Sequence, residues 1–168
     1  ARVVRLAHLT PHVMELYLAP ETPITYAPGQ WVSLALPIGP RPPLKRVYSM
    51  ASPMREDGLL HLIFDRVPGG LGSGYLAGLT PDSPVEIKNH MGNFVLSDPL
   101  KSRLLFVARY TGIVPVFAML KQLEADQFAG SVHVIYGSPD PSERFFHDEI
   151  ETLTLRKLSL ECIDLDSA

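Results

Sequence analysis

Arg46-Val47-Tyr48-Ser49 places a permanent cation, an aromatic ring and a hydroxyl within one short extended segment. Side chains alternate along a strand, so Arg46 and Tyr48 share a face and can meet one flat, negatively charged ligand together. Further along, Pro68-Gly69-Gly70-Leu71-Gly72-Ser73 reads as a glycine-rich turn, and Tyr75-Leu76-Ala77-Gly78-Leu79 behind it has helical apolar spacing. A turn of that kind ahead of a helix presents backbone N–H groups to an anion, and a diphosphate suits it. Each segment has an ordinary reading by itself: a strand with a surface arginine, and a turn in which glycine supplies positive φ. Together they describe a site for a ligand that joins a ring to a diphosphate.

The elements that must position these residues change in texture near Pro99. Before it, Arg2–Leu9, Val13–Leu18, Trp31–Leu36, Lys45–Met50, Leu59–Arg66 and Val85–Lys88 are β-rich or alternating, with turn residues between most of them. Six strands and one helical piece near Gly74–Leu79 predict an antiparallel six-stranded barrel. Most of the sixteen prolines fall in this half, which suits many turns and few long helices. From Ser102 the pattern alternates: strand Leu104–Ala108, helix Val114–Asp126, strand Ser131–Tyr136, helix Arg144–Leu155 and strand Leu158–Ile163. That order predicts a parallel sheet with right-handed crossovers, and its first loop, Tyr110-Thr111-Gly112, falls where such sheets bind nucleotides. The expected division is a barrel domain over 1–99 and an α/β domain over 100–168, the latter incomplete at its C-terminal end.

Composition narrows the classes. The 168 residues are 46% hydrophobic and 20% charged, an ordinary globular profile able to bury a core. A net charge of −3 leaves no basic footprint for nucleic acid. No apolar run reaches the roughly 20 residues of a membrane span, and no leader pattern opens the chain. A single cysteine, Cys162, excludes an internal disulfide framework and makes the cytoplasm the expected location. Six histidines are scattered. His8 and His12 have helical spacing, but Pro11 and the flanking strand-like runs argue against a metal site there, and none is expected.

Pro28-Gly29-Gln30 before a strand, Arg46-x-Tyr48-Ser49, the Gly70-x-x-Ser73 turn, Gly92-x-Phe94 and then Thr111-Gly112-Ile113-x-Pro115 follow one another in an order that resembles the ferredoxin-NADP reductase family of flavoprotein reductases. The resemblance covers nearly the whole chain. It implies a flavin-binding barrel followed by a Rossmann-like nucleotide-binding domain, with FAD as cofactor and NAD(P)H as electron donor. By that resemblance Arg46 pairs with a cofactor phosphate, Val47 is among the cofactor-binding residues, Tyr48 lies against the isoalloxazine or bonds the ribityl chain through its hydroxyl, and Ser49 reaches the N5 edge, so that Ser49 and Tyr48 stand closest to the chemistry. Gly70, Leu71, Gly72 and Ser73 serve the diphosphate, Phe64, Asp65 and Arg66 the adenylate side, and Thr111 and Gly112 the nicotinamide nucleotide.

Departures from the pattern bear on the nicotinamide half. Tyr110 stands where the family usually has glycine, Val114 where it has a smaller residue, and Ser138-Pro139 follows Tyr136-Gly137 in place of an arginine. Cys162 lacks a following glycine and receives no role. Two readings follow from the resemblance. One is a reductase that passes electrons from NAD(P)H through FAD to a protein acceptor, whether ferredoxin, flavodoxin or an oxygenase component. The other is a flavin-binding electron relay or regulatory subunit whose nicotinamide site has degenerated.

Overall fold

In the computed structural model, which describes residues 1–39 and 42–165, six strands come first. They are β1 (Arg2–His8), β2 (Val13–Ala19), β3 (Trp31–Leu36), β4 (Leu44–Ser49), β5 (Leu60–Asp65) and β6 (Glu86–Met91), with α1 (Leu71–Ala77) between the last two. They form two antiparallel sheets, ordered β1-β2-β5 and β4-β3-β6. Bridges Met50–Leu62 and Arg2–Pro84 stitch the two seams, so the sheets wrap into the expected barrel. Its interior takes the inward-facing residues of each strand, among them Leu16, Leu18, Leu34, Leu36, Leu60 and Leu62, and Leu76 of α1 closes it.

The second half begins with β7 (Arg103–Arg109), a 3-10 turn at Tyr110–Gly112 and α2 (Ile113–Ala125). It continues with β8 (Ser131–Ser138), α3 (His147–Glu151) and β9 (Leu158–Asp164). The sheet is parallel, ordered β7-β8-β9. Val132, Val134 and Tyr136 pack beneath Val116, Met119, Leu120 and Leu123 of α2. On the opposite face Leu105 and Val107 are 62% and 70% exposed. No helix among the described residues is long and apolar enough to cross a membrane.

Two elements differ from expectation. The helix predicted over Arg144–Leu155 is a 3-10 turn at Pro141–Glu143 and then the short α3. Phe146 has φ 66°, a left-handed conformation that a continuous α-helix cannot contain. The chain kinks there because Phe145 and Phe146 both turn into the core, Phe146 stacking on Phe117 at 3.9 Å. The helical piece after the glycine turn starts at Leu71, inside the motif, since Gly74 N–H already bonds Gly70 C=O at 2.8 Å.

The Pro28-Gly29-Gln30 turn joins the two halves mechanically. Gln30 accepts from Ala27 N–H at 2.9 Å and donates to Gly92 C=O at 3.0 Å, pinning the start of β3 to the end of β6. Gly29 has φ 95°, and a Cβ there would stand 2.0 Å from the Phe94 carbonyl oxygen and 2.2 Å from Met119 Cε. Gly29→Ala is therefore expected to lower unfolding free energy by at least about 2 kcal/mol, measured by urea denaturation.

Candidate functional site

The end of β4, the end of β5, the glycine turn and the loop after β7 meet around a cavity of about 480 Å³. From β4 come Arg46, Val47, Tyr48 and Ser49; from β5 Ile63, Phe64 and Asp65; from the turn Val67, Gly70, Leu71, Gly72 and Ser73. Thr111 and Val114 close the side that belongs to the parallel-sheet half. Residues far apart in sequence thus share one wall, because β4 and β5 are neighbours across the Met50–Leu62 bridge.

The wall is chemically divided. Val47 and Leu71 are exposed at its rim, 59% and 66%, while Tyr48 is half-buried and packs edge-on to Phe64 at 5.9 Å. Burial pushes the Tyr48 phenol up, with Arg46 pulling it back in part, so the hydroxyl is neutral and can donate. Arg46 bonds only the Lys45 carbonyl, at 2.8 Å, and has no carboxylate partner among the described residues. No side chain caps α1, so the amides of its first turn remain free for an anion. Ser73 Oγ accepts from Val67 N–H at 3.1 Å, which closes the turn and leaves the serine proton to donate elsewhere. The glycines admit this closeness: a Cβ on Gly70 would come 2.8 Å from Ser73 Oγ, and one on Gly72 3.0 Å from Arg46 Cγ. An apolar platform beside an uncommitted guanidinium fits a flavin dinucleotide, with Arg46 and the turn placed for its diphosphate.

Two expected residues lie elsewhere. Arg66 lines a second hollow of about 610 Å³ behind the glycine turn, with His12 and Tyr75. Gly112 lines neither space; it precedes α2, and a Cβ on it would meet nothing. Ile63, Val67 and Val114 join the cavity without having been expected, as ordinary apolar residues whose only sequence signal is adjacency to the motifs. Tyr110 has φ 49°, a conformation natural to glycine and worth roughly 1–2 kcal/mol of strain for other residues. Its ring does not line the cavity; it packs edge-on to Phe145 at 6.3 Å, and its hydroxyl donates to Glu143 at 3.3 Å. Glu143, with Thr10 and His12 bound to the same carboxylate, was not legible in the sequence.

Residues 5–96 match the sequence pattern of the oxidoreductase FAD-binding domain, and the chain belongs to that family. Ferredoxin–NADP reductase B of Sorangium cellulosum is 33% identical over 155 residues, covering 91% of this chain and 63% of that protein. The reductase component of propane 2-monooxygenase from Rhodococcus jostii is 28% identical over 152 residues, covering 89% of this chain and 40% of that protein. The chain thus spans about half the length of these relatives. Among solved structures, an Amycolatopsis cytochrome P450 reductase superposes with a TM-score of 0.86 at 22% identity, over 98% of this chain and 51% of that one. A Neisseria gonorrhoeae ferredoxin NADP+ reductase with bound FAD and NADP gives 0.84 at 20% identity, over 99% and 68%. The fold expected from the motif order is the fold found.

Gly72→Ala separates the site from the scaffold. The atoms nearest the added methyl are all from the flexible Arg46 side chain, Cγ at 3.0 Å and Nε at 3.3 Å, and the methyl gains helix propensity, so the melting temperature is expected to hold or rise slightly. Retention of flavin through gel filtration is expected to fall, because Arg46 must move away from the turn.

Proposed function

We propose that this chain is the FAD-binding, nucleotide-facing part of a reductase that carries electrons from NADH or NADPH to a protein acceptor: a ferredoxin, a flavodoxin or an oxygenase component. One observation carries the reading: a single cavity gathers Arg46, Tyr48 and Ser49, the Gly70–Ser73 turn, and Thr111 from the neighbouring half. A bound flavin supplies the hydride and electron chemistry. The chain's own residues bind and orient it. Arg46 and the amides of Leu71, Gly72 and Ser73 take the diphosphate, Val47 and Tyr48 hold the ring, and Ser49 offers a small hydroxyl that leaves room for an approaching nicotinamide. Phe64 and Asp65 continue the wall, Arg66 borders the hollow behind the turn, and Thr111 faces the nucleotide, with Gly112 behind it at the start of α2 leaving the loop room to approach. The barrel, 1–99, and the α/β region, 100–168, act as the flavin and nucleotide domains. Relatives named as reductase components of oxygenases support a protein acceptor. The lone Cys162 and the net charge of −3 support a cytoplasmic setting away from nucleic acid. Of the features that favour an electron relay without nicotinamide, Tyr110 loses weight, since its ring lies outside the cavity.

The flavin released on denaturation is expected to be FAD, since FMN has no diphosphate to meet the turn; recovery of FMN alone would remove the basis of the reading. Arg46→Ala is expected to weaken flavin binding by roughly 2–5 kcal/mol, and Ser49→Ala to retain the flavin but slow its anaerobic reduction. Titration of the apoprotein and stopped-flow bleaching measure the two.

NADH is the expected donor. At the carboxyl end of β8, Arg144 donates to Ser138 Oγ at 3.1 Å and pairs with Asp164, so its charge is committed. It is not part of the following helix, as its sequence position suggested, but folds back over the strand ends. Asp140 accepts from the Ser142 N–H and hydroxyl at 2.7 and 2.6 Å, and these bonds hold its carboxyl below the usual range. A 2′-phosphate placed there would face an ionised carboxylate, whereas a free ribose hydroxyl could donate to it. Steady-state dye reduction is expected to give a lower KM for NADH than for NADPH; the reverse order would overturn this assignment.

A further inference from the structure

The polar seam between the barrel and the parallel-sheet half converges on one carboxylate. Glu143 is 7% exposed at the end of the Pro141–Glu143 turn. Its Oε1 lies 2.9 Å from His12 Nδ1, and its Oε2 accepts from the Thr10 hydroxyl and, at 3.3 Å, from the Tyr110 phenol. Thr10 and His12 belong to the turn between β1 and β2, and Thr10 Oγ1 also accepts from Val13 N–H at 2.9 Å, which fixes that turn in place. His12–Glu143 is the one histidine–carboxylate or ion-pair contact joining the two halves among the described residues. Burial alone would lift the Glu143 carboxyl, but the bonds from Thr10, His12 and Tyr110 outweigh it and hold it below the usual range. Burial first, then the charges of Asp65 and Glu143 and the phenol's bonding to both carboxylates, push the Tyr110 phenol up, so it stays a donor; of the two, Glu143 is the acceptor at 3.3 Å.

Tyr110 is one residue from the cavity wall at Thr111, in a backbone conformation that suits glycine. A tyrosine held there stands beside the cavity wall, so the direction of its ring bears on access to the site. We propose that Glu143 is a positioning residue: anchored on Thr10 and His12, it grips the Tyr110 hydroxyl, keeps that ring out of the ligand cavity and holds Thr111 at its wall. The kinetic consequence rests on the reductase reading above; the restraint on the loop rests on geometry alone.

Amide hydrogen exchange across residues 109–114 reads the loop without turnover. In Glu143→Ala and in Tyr110→Phe it is expected to quicken about tenfold, the scale of one hydrogen bond to a charged group. Glu143→Met, which keeps much of the volume but offers no oxygen to the Tyr110 hydroxyl, serves in place of Glu143→Ala if that variant does not fold. In flavin-loaded protein, Glu143→Ala is expected to raise the KM for NADH about tenfold while the limiting rate falls far less. Adding Tyr110→Gly to Glu143→Ala is expected to bring KM back towards wild type, because the obstructing ring is gone. A purely structural seam would give no such rescue, and its absence overturns the proposal. Unchanged exchange in both single variants overturns it as well. If the wild-type flavoprotein is reduced by neither nucleotide, the reductase reading fails, and the exchange comparison still decides whether Glu143 holds the loop.

Discussion

One patch on the outside of the barrel, at the start of β2 and along β5, is as buried as the barrel interior, and the rest of the molecule is arranged around that fact. Val13, Ala51 and Ile63 belong to the barrel, yet they are buried in the core formed with Ile113, Val114, Tyr136 and Phe145. Alternation along β5 explains how this is possible: Leu60, Leu62 and Phe64 fill the barrel, while Ile63 points outward. Burying apolar surface across this seam fixes the orientation of the two halves, since each buried side chain of this size is worth roughly 1.5–3 kcal/mol. The loop after β7 is thereby set against the end of β5, with Thr111 beside Asp65 at one cavity. The near side of the parallel sheet gains its cover from α2 and the barrel; the far side, with Leu105, Val107 and Ile163, stays bare among the described residues.

Within the cavity, attraction and room are supplied by different residues. The guanidinium of Arg46 and the uncapped first turn of α1 offer charge-assisted and backbone donors, and both converge because Gly72 lets the arginine stem pass within van der Waals reach of the helix. Val47, Leu71 and Tyr48 contribute apolar surface that water covers only at a cost. Such a division suits a ligand with a flat ring at one end and phosphates at the other, and it matches the family to which residues 5–96 belong. The polar groups at the carboxyl end of the parallel sheet behave differently. Arg144, Ser138 and Asp164 satisfy one another, and Asp140 caps its own turn, so the end of β8 has little cationic character to spare, while Arg109 stays exposed at the end of β7.

How much of this was legible without coordinates varies by residue. The strands of the barrel, the parallel order of the second sheet and the cluster Arg46–Ser49 with Gly70–Ser73 follow from local signals: two-residue alternation, helical spacing, and glycine at turns. The unusual character of Tyr110 was also visible, as a bulky residue at a glycine position, and its φ of 49° is the structural counterpart. Where the tyrosine ring goes was not visible. Its partner Glu143 lies 33 positions away, and Thr10 stands 133 positions before Glu143, so no local pattern links them.

Local signals sufficed for the strands, for the order of the elements and for the chemistry on offer at each motif, because propensity, periodicity and turn preference act over a few residues; they did not suffice for the helix expected over Arg144–Leu155. Tertiary structure decided which motifs share a cavity and which residues are diverted. Arg66, next in sequence to Asp65, ends on the far side of the glycine turn. Arg144, in a stretch with helical spacing, is drawn out of helix by the strand ends it bonds and by two phenylalanines that prefer the core. These outcomes depend on burial and on partners brought together by folding, and such contacts outweigh the few tenths of a kcal/mol that set a residue's intrinsic preference.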